Sequence, residues 1–473
     1  MTTPAARDHS EHIASFLKAI ADRSCEKNLT GIAIGVIFGG QEYRAVSGWA
    51  DAPSKTPVSD ATVFEVGSLS KLFTSLLLAK AVTKGEVGLD DPVQTALGDQ
   101  VTLPTDGQTQ ITYRSLANHR SSLPRLPDDL IATADMENPY VHYDRAMLYA
   151  CLNRMKDLPP IGASSTYSNF GVGLLGHALG RLAGSDYRKA LQERVLTPLG
   201  MLDTSTESSG EQGPRLATAH TKKDKPTKHW DFSEVTVAAG GVRSSLADML
   251  KFLRANVHPE TSALAQELRL MRQPSELPRP EGHDPERLSW FSWLLPLGYV
   301  GLLALFELYL HGTKWLTRGG LDGFLFFSLM LFPTLVAACY AGRIASIATL
   351  ALMTLLTWSL WGANVSTFIV LVWGACLIFL FSNWKKNWAG FMQILRGDGR
   401  LAWQSSTIGP HPVLWHNGMV GGSASYLGVV EPLGVGVVVL TNTAKSVDGI
   451  GVKILAELVR LKETDRPADK LDP

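Results

Sequence analysis

An α+β fold is predicted for this chain: one antiparallel sheet flanked by helices in an α/β sandwich, plus a helical subdomain, interrupted by a four-helix transmembrane insertion. Three observations predict it. β-rich runs stand at both ends, helical periodicity fills the middle, and between about residues 289 and 382 the sequence turns almost wholly apolar. Neither end alone supplies enough strands to cover a core, so both ends contribute to one sheet. The expected organisation is 1–280 as the first part of a domain, 286–385 as the membrane block and 397–465 as the second part of the same domain.

The elements follow in order. A polar, amphipathic N-terminus predicts a helix over about Asp8–Arg23. GIAIGVIFGG and EYRAVSGWA are two β-rich runs joined across Gly39, Gly40 and Gln41, a hairpin signal. From about 70 to 255, apolar residues recur at three and four in LFTSLLLAKAVTKG, GVGLLGHALGRLAG and SSLADMLKFLRANV, the period of amphipathic helices. SASYLGVV and GVGVVVLTN form a second strand pair around Glu431, Pro432, Leu433 and Gly434, and a helix over about Ile450–Leu461 closes the chain.

The apolar block holds four stretches, Ser289–Leu310, Leu321–Tyr340, Ile344–Trp361 and Val365–Ser382. Each is long enough to cross a hydrocarbon core of about 30 Å at a rise of 1.5 Å per residue. No charged residue occurs between Ile344 and Trp384, so the last two stretches lack the polar stripe of a core helix. An even number of spans returns both flanks to one side. Arg272, Arg279, Arg287, Lys385, Lys386, Arg396 and Arg400 flank the block and Arg343 lies in its central turn, against Lys314 and Arg318 on the other side. The positive-inside rule then predicts an integral protein of the cell membrane, with the flanking halves on the cytoplasmic side and the bilayer as a partner. No apolar run that could serve as a signal peptide precedes them, which agrees with that side.

Composition excludes other classes. Of 473 residues, 44 are basic and 44 acidic, so no net charge favours nucleic acid. The four cysteines are scattered, without C-x-x-C or Cys/His spacing, so neither a disulfide framework nor a metal site is expected, and no cofactor.

Three motifs carry chemistry. Ser68-Leu69-Ser70-Lys71 follows FEVG and opens a helix. A serine at a helix start has a free N–H and feels the positive helix end, and Lys71 one turn later reaches its oxygen. A lysine held among apolar groups loses basicity and can accept the serine proton. Alone, the same pattern also describes a helix cap beside an exposed lysine. Tyr167-Ser168-Asn169 precedes another helix; a phenol beside a lysine shuttles protons, and an asparagine can bind the lysine and a substrate carbonyl. His416-Asn417-Gly418 lies on a strand, where glycine permits close approach, and the Met419 N–H could join that of Ser68 as an oxyanion donor.

In order and context these motifs resemble the serine hydrolase family of class C β-lactamases and penicillin-binding-protein-like enzymes, which includes DD-peptidases, D-aminopeptidases, family VIII esterases and thioesterases. The phrase around Ser68 matches over residues 64–74, Tyr-x-Asn matches 167–169, and Lys/His-x-Gly matches 416–418. The resemblance extends to LANHRSSLPRLP, TPLGMLDTS, AAGGVRSSLADMLKFL, LAWQ and GVVVLTN, and covers nearly all of 10–275 and 397–462. It implies Ser68 as acylated nucleophile, Lys71 and Tyr167 as acid/base pair, Asn169 and His416 as assistants, the Ser68 and Met419 N–H groups as oxyanion hole, and Asn417 and Gly418 in substrate binding. Two departures stand out. Ser122 replaces the glycine of the family's HTSGLP phrase, and histidine replaces the lysine that begins the third motif and holds a β-lactam carboxylate in that family. The long spacing from 242 to 416 is accounted for by the apolar block. The function this implies is a membrane-embedded serine hydrolase acting through an acyl-enzyme on an ester, peptide or lactam. Acyl transfer or peptide cyclisation on the same fold is one alternative, and an idle binding protein is another.

Overall fold

The computed structural model describes residues 9–130, 134, 135, 137–207, 210–274 and 400–465. All of them lie in one compact unit made of Met1–Pro278 and Gln393–Pro473. The four apolar stretches expected to cross a membrane lie outside the described residues. Among the described residues, no helix is long and apolar enough to cross one.

Helix α1 (Ser10–Lys27) runs four residues beyond the expected end and leads into β1 (Gly31–Phe38) and β2 (Gln41–Asp51). Their register places Phe38 opposite Gln41, and Gly39 and Gly40 both take positive φ. That is the two-residue hairpin turn whose twist matches paired strands. A short edge strand, β3 (Thr56–Pro57), follows, and then β4 (Val63–Glu65) and helix α2 (Ser70–Thr83). The helical middle supplies α3 (Asn169–Leu182), β5 (Arg243–Ser245) and α4 (Leu246–Val257). The C-terminal part contributes β6 (Gln404–Ile408), β7 (His411–Met419), β8 (Ala424–Val430), β9 (Val435–Thr441) and α5 (Asp448–Thr464).

The main sheet has seven strands in the order β3-β2-β1-β9-β8-β7-β6. N-terminal β1 pairs with C-terminal β9, Ile32 opposite Thr441 and Ile37 opposite Gly436. The sheet is therefore closed at its centre by the two chain ends, as both strand-rich termini require. β1 and β9 are apolar on both faces because both faces are covered. Ile32, Ile34, Val36, Val437 and Val439 pack with Ile13 and Leu17 of α1 and Ile454 and Leu458 of α5. Ala33, Ile37, Val438 and Leu440 join the opposite core with Leu250 and Leu253 of α4. This period of two is the pleat itself.

Beneath that second face runs α2, buried along nearly its whole length. It is apolar all round, as a helix at the centre of a domain is. β4 delivers the chain to it and is held by β5 in a separate two-stranded ladder. Between β4 and α2 the chain makes one tight 3₁₀ turn, Gly67–Leu69.

Candidate active site

Ser68 stands in that turn, half-buried, just before α2. Lys71 follows in the first turn of α2 and is fully buried. Its Nζ lies 2.9 Å from Ser68 Oγ, and it donates to the Ala239 carbonyl at 2.6 Å. Burial, and after it the Arg125 guanidinium, hold the amine well below its ordinary pKa of 10.5. An ammonium in such a place costs several kcal/mol to desolvate, which shifts the balance toward the neutral amine, whose lone pair can take a proton.

Tyr167 comes from the segment before α3. Its hydroxyl donates to Ser68 Oγ at 2.6 Å, and its ring lies 4.8 Å from Lys71 Nζ. Burial pushes the phenol up to about 12, against the lowering effect of its bond to Ser68, so the proton stays on the oxygen. Ser68 Oγ thus has a base on one side and a donor on the other.

The loop from His119 to Arg125 fastens Tyr167 in place. The His119 carbonyl accepts from Thr166 N–H at 2.8 Å and its Nδ1 accepts from Ser168 N–H at 3.2 Å, one bond on each side of Tyr167. The two rings lie 4.5 Å apart. Ser168, rather than Asn169, caps α3: its Oγ accepts from Gly171 N–H at 2.8 Å and donates to the Pro124 carbonyl at 2.6 Å. His119 and Ser122 both adopt left-handed backbone, φ 61° and 59°. Ser122 therefore keeps the backbone turn of the missing glycine, at the strain a side chain imposes there.

The other wall is β7. A Cβ built on Gly418 would lie 2.0 Å from the Val66 carbonyl and 2.9 Å from Ser68 N. Only glycine fits, and the strand reaches van der Waals contact with the serine turn. Ser425 of β8 ties the same place by donating to Val66 O at 2.7 Å. The hairpin bond from Val420 N–H to Ser423 O puts Gly418 opposite Ser425 in a bonded pair and leaves Met419 in a non-bonded one. β6 pairs with β7 as far as Trp415, so among the described residues no strand pairs with the edge that Met419 N–H faces. A Cβ on Gly67 would lie 2.7 Å from that nitrogen. The backbone nitrogens of Ser68 and Met419 both lie at this seam between the serine turn and β7.

Two expectations need correction, and His416 takes a defined state. Asn417 donates to Asp448 at 2.8 Å, because alternation along β7 turns its side chain to the opposite face of the sheet from His416 and Gly418; it does not face the serine. Asn169 donates to the Tyr140 hydroxyl at 3.2 Å rather than binding Lys71, and its buried Oδ1 has no partner among the described residues. His416 is not a cation. Its Nδ1 donates to the Asn417 carbonyl at 2.6 Å, and burial first, then Lys71, hold it down to about 3. Its buried Nε2 is left as a bare acceptor without a partner among the described residues.

Sequence reasoning missed the Ala239 carbonyl, a backbone group that no side-chain pattern marks. It also missed Arg125, whose guanidinium lies 5.2 Å from the centre of the Tyr167 ring. Tyr140 was missed as well; its hydroxyl accepts from Asn169, and its ring stacks on Phe232 at 4.7 Å and meets Trp230 edge-on at 5.6 Å.

Relatives share this frame. Similar solved structures include a class C beta lactamase from Rhodobacter sphaeroides, 21% identical with a TM-score of 0.57 over 96% of this chain and 99% of that one. Another class C beta lactamase aligns with a TM-score of 0.60 at 18% identity, over 96% of this chain and 99% of that one. At such identities the likeness speaks for the fold. In sequence, the D-alanyl-D-alanine-carboxypeptidase/endopeptidase AmpH of Escherichia coli (strain K12) is 30% identical over 245 residues, 50% of this chain and 62% of that protein. A beta-lactamase of the same organism is 27% identical over 236 residues, 50% of this chain and 58% of its own length. The chain therefore spans less than two thirds of these curated relatives. The family model described as Beta-lactamase matches residues 12–317, which take in the Ser68, Lys71 and Tyr167 cluster, and the chain belongs to the beta-lactamase family.

Proposed function

We propose that this protein is a serine hydrolase working through an acyl-enzyme, anchored in the membrane by its apolar block. One observation carries the reading: Ser68 Oγ lies between a lysine amine at 2.9 Å and a phenol at 2.6 Å. As Ser68 attacks a carbonyl, its proton passes to the neutral Lys71 amine and the oxygen forms the acyl bond. Tyr167 relays a proton to the leaving group, whose bond to the carbonyl carbon breaks. The N–H groups of Ser68 and Met419 receive the developing oxyanion. Water then adds to the acyl carbon, gives its proton to the same pair, and frees Ser68.

The neutral His416 favours ester and peptide carbonyls over a lactam held through a cation on β7. The AmpH relative, named for D-alanyl-D-alanine carboxypeptidase and endopeptidase activity, supports a peptide with the same stereochemistry as a first substrate to test. Transfer to an amine or alcohol would use the same acyl-enzyme, and no described residue favours it over water. Membrane insertion rests on the apolar stretches between Ser289 and Ser382, and the cytoplasmic side rests on the flanking cations.

One experiment addresses both parts. A fluorophosphonate probe applied to membranes containing the protein labels a band that survives an alkaline wash of the bilayer. The band disappears in Ser68→Ala. Equal labelling of the variant removes Ser68 from its role, and loss of the band into the wash removes the anchor.

A further inference from the structure

We propose that Arg125 is the anion-binding residue of this site, its guanidinium holding a carboxylate that the substrate carries a few bonds from the attacked carbonyl. This rests on the reading of Ser68 as nucleophile and adds a class of substrate to it.

The strand wall offers no cation: His416 has committed its Nδ1–H to the Asn417 carbonyl, and its Nε2 presents a lone pair that repels a carboxylate. Lys71 is buried and occupied by Ser68 and the Ala239 carbonyl. On the loop wall, Arg120 turns to the Gly162 carbonyl at 2.7 Å and is buried. Arg125 differs from all three. It is exposed, its guanidinium lies over the Tyr167 ring at 5.2 Å, and no ion pair joins it to an acid among the described residues. Its charge is felt by Lys71, His119, Tyr167 and Tyr140, so it faces the reacting groups and not the bulk alone.

The Arg125 carbonyl accepts from the N–H groups of both Asn169 and Phe170, at 2.9 and 3.2 Å, and the preceding Pro124 carbonyl accepts from Ser168. Its backbone is thereby locked to the segment that carries Tyr167. A side chain on such a base is pre-organised, and a planar fork of N–H donors matches the two oxygens of a carboxylate. The aromatic face beneath it orients the fork without neutralising it.

The test compares two chromogenic esters of equal chain length, 4-nitrophenyl hydrogen glutarate and 4-nitrophenyl pentanoate, which differ by a terminal carboxylate in place of a methyl group. With the purified full chain, the ratio of kcat/KM for the acid over the neutral ester falls roughly ten- to a hundredfold in Arg125→Gln. It falls further in Arg125→Glu and stays between in Arg125→Lys. The loss appears mainly in KM for the acid. A ratio unchanged between wild type and Arg125→Gln overturns the proposal. The ratio does not depend on which residue attacks, so an error about Ser68 shows separately, as hydrolysis of both esters that persists in Ser68→Ala. If neither ester is hydrolysed, the proposed activity fails; calorimetric binding of glutarate to wild type and Arg125→Gln then decides the matter, and equal or absent binding in both overturns the role of Arg125.

Discussion

The two walls around Ser68 are built differently. The loop wall, His119–Arg125 with Tyr167–Asn169, is a lattice of side-chain and backbone bonds that fixes a phenol and presents an exposed cation. The strand wall, His416–Met419, contributes backbone: a glycine that touches the serine turn, an N–H at an open sheet edge and a histidine held neutral. The contrast separates two tasks. Stabilising an oxyanion needs rigid N–H groups at fixed positions, which a strand provides. Moving a proton and holding a substrate's own charge need side chains whose ionisation is tuned, which a bonded loop provides.

The contrast breaks first at Gly418. Gly418→Ala forces β7 away from Val66 and Ser68 and pulls the two proposed oxyanion donors out of register. A fall of roughly 10³ in kcat is expected, with retained thermal unfolding showing that the sheet survives. A loss below tenfold would mean that the strand wall does not hold the oxyanion. On the loop wall, Tyr167→Phe keeps the ring packed on His119 and removes only the hydroxyl. Acylation, followed as the burst of chromogenic product, should slow by about 10² with little change in KM.

A smaller effect sharpens the same comparison through pH. In the proposed mechanism the rate requires neutral Lys71, whose folded pKa is lowered, so kcat/KM should fall about tenfold per unit as pH drops below that pKa and level above it. Tyr167, raised to about 12, remains a donor through the neutral range. The Arg125 charge is the second cause of the lowered lysine. Removing it in Arg125→Gln raises the lysine pKa, so the acid limb of the profile moves toward higher pH. A limb that stays in place would show that burial alone sets the lysine.

Much of this was readable in the sequence because it is local. The hairpin at Gly39 and Gly40, the helical periods of the middle, and the serine and lysine one turn apart all follow from near neighbours along the chain. Asn417 shows where such reading fails. Next to His416 in a motif, it belongs to the other side of a sheet, and the pleat rather than the motif decided its partner, Asp448. Asn169, expected to bind the lysine, bonds Tyr140 instead, which comes from a segment 29 residues earlier that the motif does not reveal. Arg125 carried no signal at all, since nothing in LPRLP indicates that its carbonyl will lock onto α3.

The sequence by itself determined that strands at both ends close one sheet, that a serine and a lysine share a helix start, and that a long apolar block divides the chain. Tertiary structure alone decided the ionisation states. Lys71 loses basicity and His416 stays neutral because of the groups that surround them from distant segments, and desolvation is a property of surroundings. It also decided which strand faces the serine, because Ser68 and His416 stand 348 positions apart along a chain whose two ends come together in one sheet, β1 beside β9.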